Sequence, residues 1–302
     1  MYRLNALLLI KTDGQLSESP YWLDELNCFL WVDIERKHLG IYHWLTKKKE
    51  IVSIPYRLSM IVTSWNGDVI LGLQGGLAKF DIATKELIWL LDIEKEHYTQ
   101  RCNDGKCDNQ GRLWIGTMDI TCKAGAGSLY CVDTDLKLSK KADQLTIPNG
   151  IEWSLDYQKL YHIDSITRCV TSYLFNEDNA GISNKERVIE IPEDMGLPDG
   201  MTRDENGMLW IANHGGFSVC CWNPVNGQLL AKIEVPVPLV TSCVFGGIDL
   251  EYLIITTARQ GLSKEEINKY PLSGSVFVAK PGIKGIPANK FGKQIKYANA
   301  KK

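Results

Sequence analysis

The feature that most constrains this chain is a loose internal repeat. Short strand cores recur along its 302 residues: Leu30-Trp31-Val32, Val69-Ile70-Leu71, Leu113-Trp114-Ile115, Leu160-Tyr161-His162, Leu209-Trp210-Ile211 and Leu253-Ile254-Ile255. Their central residues are separated by about 39, 44, 47, 49 and 44 positions. A period of that size is the mark of four-stranded propeller blades. Six cores therefore predict an all-β, six-bladed β-propeller.

The residues between the cores agree with this. Asn66-Gly67-Asp68, Asn109-Gln110-Gly111 and Glu205-Asn206-Gly207 precede cores and read as hairpin turns, where Asn and Gly accept positive φ. A Gly-rich step and a further strand follow, as in Gly75-Gly76-Leu77 to Asp81 and Gly127-Ser128-Leu129 to Asp133. One short helix is predicted over Ser263 to Tyr270, with Ser263 as N-cap and Glu266 completing a capping box. A ring of blades must close or leave raw sheet edges. The strand Leu4 to Ile10 is available to pair with the last blade, so residues 1–302 are expected to form a single domain. The tail at about 284–302 is read as a peripheral, frayed terminus.

Composition narrows the function. A net charge of −2 offers no electrostatic case for nucleic acid or anionic membrane. No apolar run approaches the roughly 20 residues of a membrane helix, and the N-terminal apolar run lacks the features of a signal peptide. Nine cysteines occur, an odd number at irregular spacing with no Cys-x-x-Cys. That argues against a disulfide framework or a zinc cluster and for a reducing, cytoplasmic compartment. A monomer or weak homo-oligomer is expected.

The polar positions carry the chemistry. Ile147-Pro148-Asn149-Gly150-Ile151 and Leu197-Pro198-Asp199-Gly200-Met201 share one pattern, and each stands ahead of a strand core. Asn103-Asp104-Gly105 and Glu18-Ser19-Pro20 stand in similar places. Each reads as a tight polar turn, and Asn-Gly and Asp-Gly also form turns with no further role. If the blades stack around an axis, however, the oxygens of Glu18, Asn149 and Asp199 meet. Two carboxylates and one amide suit a hard divalent cation. Asp199 beside such an ion is a candidate general base. Arg101 and Asn103, two apart on an extended segment, face one side and suit a hydroxylated, carbonyl-bearing ligand. The alternative for Arg101 is an ion pair with Asp104. Trp31, Trp114 and Trp210 are read as blade packing, and His214 as a core or rim residue.

Taken together these motifs resemble the regucalcin (senescence marker protein)/gluconolactonase/luciferin-regenerating enzyme family. They are Glu18-Ser19-Pro20-x-Trp22 with Leu30-Trp31-Val32-Asp33-Ile34, Arg101-Cys102-Asn103-Asp104-Gly105-Lys106, Gly111 through Met118, Gly127-Ser128-Leu129-Tyr130, Pro148-Asn149-Gly150-Ile151 and Pro198-Asp199-Gly200-Met201. The resemblance runs in order over nearly the whole chain. It implies one divalent ion in the central tunnel, calcium first, with zinc, magnesium or manganese as alternatives. It implies Glu18, Asn149 and Asp199 as ligands, Asp199 as catalytic acid/base, Arg101 and Asn103 at the substrate, and hydrolysis of a sugar lactone to an aldonic acid. Two positions depart from the family's pattern. Thr121 stands where an acidic, substrate-facing residue is usual, and Asn213-His214 replaces an aromatic residue before Gly215-Gly216. Both touch the tunnel mouth and bear on substrate choice. The alternatives are a metal-dependent esterase or phosphotriesterase and a calcium-binding propeller without turnover.

Overall fold

The structure is a computed structural model, and it describes residues 1–293. Strand pairing gives six sheets, antiparallel throughout except for one added N-terminal strand, and the six-bladed propeller read from the repeat is the fold. Blade one comprises Ser17–Leu23, Cys28–Asp33, His38–His43 and Lys49–Ser53. The innermost strands of the later blades are Leu58–Thr63, Gln100–Cys107, Pro148–Trp153, Leu197–Arg203 and Val240–Gly246. Each touches the innermost strand of the next blade, and the sixth touches the first, which sets them around an axis. Every strand core named from the sequence is the second strand of its blade. Both faces of such a strand are covered, which is why it reads as a short unbroken apolar run.

The ring closes through the N-terminus, by two strands. Leu7–Ile10 pairs with Val276–Ala279 as the outer strand of blade six. Tyr2–Asn5 runs parallel to Leu229–Glu234 and adds a fifth strand to blade five. Between blades, Trp114, Trp153 and Trp210 are fully buried. Trp114 packs edge-on against Trp153 at 6.2 Å, and Trp210 against Phe245 at 6.0 Å. The helix is Lys264–Lys269, with both halves of the Ser263/Glu266 capping box formed.

The C-terminal segment is not a loose end where it is described. Gly285 bridges to Asp204, Phe291 pairs with Ser64, and Phe291 is buried. Asn289 donates to the Cys107 carbonyl at 3.2 Å. The chain from 284 to 293 therefore straps across the lower end of the ring, over a tunnel chamber of about 80 Å³ lined in part by Lys106, Glu152 and Arg203. The rest of the expected tail, 294–302, lies outside the described residues.

Candidate active site

The six innermost strands share an irregularity at their upper ends. Pairing slips by one residue between Glu18 and Tyr21, Leu58 and Met60, Cys102 and Gly105, Pro148 and Ile151, Pro198 and Met201, and Val240 and Ser242. Each is a β-bulge, a device that re-aims side chains. The segments Pro148-Asn149-Gly150 and Pro198-Asp199-Gly200 are thus strand bulges and not the tight turns expected from Asn-Gly and Asp-Gly. Glycine is needed there for space. A Cβ on Gly150 would lie 2.7 Å from Met201 Cγ and 2.9 Å from the Asp199 carbonyl oxygen, and one on Gly200 would lie 2.0 Å from Ser242 Oγ.

The bulges bring the polar set together. Arg101 Nη1 donates to Asn103 Oδ1 at 2.5 Å and to the Cys102 carbonyl at 2.9 Å. Asn103 Nδ2 donates to Asn149 Oδ1 at 3.0 Å and to the Pro148 carbonyl at 2.8 Å. Asn149 Nδ2 donates to Ser165 Oγ at 2.9 Å, which fixes the way the amide faces. Glu18 Oε2 accepts the Ser19 N–H at 2.9 Å. Asp199 Oδ1 is buried without a partner. Glu18, Arg101, Asn103, Asn149 and Asp199 are each buried. Arg101 contacts Asn103, so its alternative pairing with Asp104 is not the one made.

Asp104 belongs to the same centre and was missed as a site residue. The last residue paired before the slip is Glu18 in blade one, Cys102 in blade three, Pro148 in blade four and Pro198 in blade five. Asn103, Asn149 and Asp199 each follow that residue by one and lie inside the bulge; Asp104 lies inside it too, whereas Glu18 is itself the last paired residue. Relative to the slip, Glu18 therefore stands one place earlier than Asn149 and Asp199 and not at their equivalent position. The signal in the sequence was that Asp104 adjoins Asn103 in the Asn103-Asp104-Gly105 segment.

The electrostatics follow from burial. Desolvation pushes the Glu18 carboxyl up from 4.5 to about 8, with the Asp104 charge adding and the Ser19 N–H and Arg101 opposing. Asp199 is raised well above the usual carboxylate range by desolvation, then by Glu18 and Asp104. Asp104 is raised by desolvation, against the pull of Lys106. Desolvation lowers Arg101, and Glu18 opposes it. Two buried carboxylates, Glu18 and Asp199, and the half-buried Asp104 disfavour one another, and with the orphaned Asp199 oxygen they fit a divalent cation. Among the described residues no group of three His, Cys, Asp or Glu side chains forms a metal cluster. A cation here would rest on Glu18, Asp199 and the Asn149 amide oxygen.

The departures lie at the upper end. Thr121 stands on the loop after Met118, whose partner across the strands is Arg101. Its backbone N–H and its hydroxyl both donate to Asp119 Oδ1, at 2.8 and 2.5 Å. Those bonds hold the Asp119 carboxyl at about 2. His214 ends the second strand of blade five, and burial lowers its pKa. All nine cysteines are free, and only Cys122 is exposed. No helix among the described residues is long and apolar enough to cross a membrane.

Fold and site define a six-bladed propeller with an acidic, amide-bearing centre on its axis. Residues 16–259 match the model of the SMP-30/Gluconolactonase/LRE-like region, and the chain belongs to that family. It is 32% identical over 277 residues to YvrE of Bacillus subtilis (strain 168), a protein named as a candidate sugar lactone lactonase, with 92% of this chain and 95% of that one covered. It is 32% identical over 290 residues to regucalcin of Danio rerio, covering 95% and 98%. Among solved structures, a calcium-binding protein, regucalcin from Agrobacterium tumefaciens, superposes with a TM-score of 0.92 at 26% identity, covering 97% and 99%.

Proposed function

We propose that this protein is a divalent-metal-dependent hydrolase of sugar lactones, with Glu18, Asn149 and Asp199 as the ion's ligands. The observation that carries the reading is the unpartnered, buried Asp199 Oδ1 with the charges of the buried Glu18 and the half-buried Asp104 acting on it. When bound, the cation polarises the ester carbonyl. Calcium is the first choice, since the buried donors are all oxygens and a solved relative is a calcium-binding protein.

The chain's own residues supply the rest. Asn103 bonds Arg101 on one side and Asn149 on the other, so substrate contacts and ion ligands form one rigid chain of donors. Arg101 and Asn103 hold the oxygens of the sugar ring. Asp199 takes a proton from the attacking water. The water oxygen bonds to the carbonyl carbon, the ring C–O bond breaks, and the ring oxygen leaves with a proton as a hydroxyl. The new acid ionises at neutral pH, so each turnover releases one proton. Thr121, in place of an acid, leaves the mouth less negative and open to a neutral substrate. The free cysteines agree with a cytoplasmic setting.

The test is proton release from aldonolactones by metal-stripped protein with Ca²⁺, Zn²⁺, Mg²⁺ or Mn²⁺ restored singly. Turnover restored by an ion, and abolished in a folded Asp199→Ala variant, is expected. Tight ion binding with no turnover on any lactone would refute the reading and favour a binding propeller or an esterase.

A further inference from the structure

We propose that a groove beside the tunnel mouth binds a second sugar residue, so that the substrate class is an aldonolactone bearing a further glycosyl unit. The inference rests on the lactonase reading and deepens it. The groove, of about 480 Å³, lies between the upper loops of blade two and the segment that crosses to blade three. Its size is that of a small-molecule site.

Its walls have the chemistry a sugar needs: aromatic faces for C–H surfaces and neutral amides for hydroxyls. Tyr56 and Trp89 stand 5.4 Å apart at 56° and make one wall. Tyr98 stands on the other side, 88% exposed, an unusual position for an aromatic ring with no partner. Gln74 Nε2 donates to the Tyr98 carbonyl at 2.8 Å and fixes that segment. Lys95 is engaged by Asp92 at 3.0 Å and lies 5.4 Å over the Trp89 ring, so its charge is already met. The groove thus favours a neutral ligand over an anion.

Gln100 ties the groove to the candidate active site. It lines the groove, directly precedes Arg101, and pairs across the strands with Asp119 at the base of the Thr121 loop. Its Nε2 donates to the Ala126 carbonyl at 3.0 Å, while its Oε1 is buried with no partner. The bond to Ala126 fixes the Gln100 side chain at the groove wall. Gln100 and Arg101 are successive residues of one strand, so a substrate that extends over the upper end of that strand from the Arg101–Asn103 pair enters the groove.

The experiment compares cellobiono-1,5-lactone with glucono-1,5-lactone on the ion-loaded full chain, for wild type, Tyr98→Ala and Tyr56→Ala. Tyr98 is exposed enough that its loss leaves the fold intact. Wild type should favour the disaccharide lactone in kcat/KM by about fivefold or more. Either variant should raise KM for it by about three- to tenfold, the size of one lost aromatic contact, with glucono-1,5-lactone unchanged. Equal kcat/KM for the two lactones in wild type, or variants that slow both alike, would overturn the groove assignment while leaving the lactonase reading intact. Hydrolysis of neither lactone by wild type would remove the lactonase reading and this inference with it.

Discussion

Glu18→Gln should stabilise the ion-free protein while removing its ion binding. Glu18 moves from 4.5 unfolded to about 8 folded, chiefly by desolvation. A shift of that size corresponds to roughly 5 kcal/mol when the group is forced to ionise in the fold. Relaxation and water entry will reduce it, so about 2–4 kcal/mol is expected. The sign follows from linkage. A carboxyl raised on folding is neutral in both states below about 4.5, so it costs nothing there. Between about 4.5 and 8 the unfolded state ionises first, and the folded state loses stability progressively. Glutamine keeps the shape without the charge. In chelator at pH 8, Glu18→Gln should therefore melt above wild type by about 4–8 °C, at about 2 °C per kcal/mol for a chain of this size. The gap should nearly close by pH 5. Added Ca²⁺ should raise the melting point of wild type and leave the variant nearly unmoved. A variant less stable than wild type in chelator at pH 8 would refute the argument, because Glu18 would then be a structural partner and not a strained ligand.

Two further outcomes follow from particular contacts. Arg101→Ala should raise KM for the lactone more than it lowers kcat, if the guanidinium binds substrate and transition state alike; steady-state kinetics separates the two. Asp204→Ala should lower the melting temperature by about 4–8 °C, read by calorimetry. Asp204 Oδ2 accepts the buried Trp210 indole N–H at 2.9 Å, and Oδ1 accepts the Asn206 and Met208 N–H groups; their loss costs about 2–4 kcal/mol.

The repeat made the blade count and the second strands legible, because a strand covered on both faces writes its burial directly into consecutive apolar residues. The role of Asp108 and Asp204 was less visible. Each holds a turn and reaches forward to the indole of Trp114 or Trp210. The turns were read from Asn and Gly alone, and the acid before them was passed over. The N-terminal run was read as one strand, but Ala6 separates two partners in neighbouring blades. The described part of the C-terminal strap escaped notice because its hold is mostly backbone bonding, as in Phe291 N to the Thr63 carbonyl at 2.7 Å, which no side-chain pattern announces. In the candidate site, Glu18, Asn149 and Asp199 were picked by analogy of position. Asp104 was lost because its neighbour Asn103 was taken as the functional residue of that segment.

The bulges explain why the site needs its glycines as much as its acids. A regular strand points alternate residues at the axis and sends the rest into the blade interface. One extra residue in each innermost strand re-aims the side chain at the slip, and two bulge side chains, Asn103 and Asn149, meet at 3.0 Å. The backbones then approach so closely that Gly200 has Ser242 where a Cβ would stand, with the Ser242 Cα at 3.0 Å. Gly200→Ala can therefore be accommodated only by moving the bulge that carries Asp199. The hydroxyl of Ser242 can rotate away but its Cα cannot, so a displacement of a few tenths of an ångström is forced. Ca²⁺ affinity, measured by titration calorimetry, should fall about tenfold or more, because ligand geometry is displaced though every ligand remains. Combining Gly200→Ala with Ser242→Gly removes both obstructing side-chain atoms and should recover part of the loss. A single variant with unchanged affinity would mean that Asp199 is not held by this bulge.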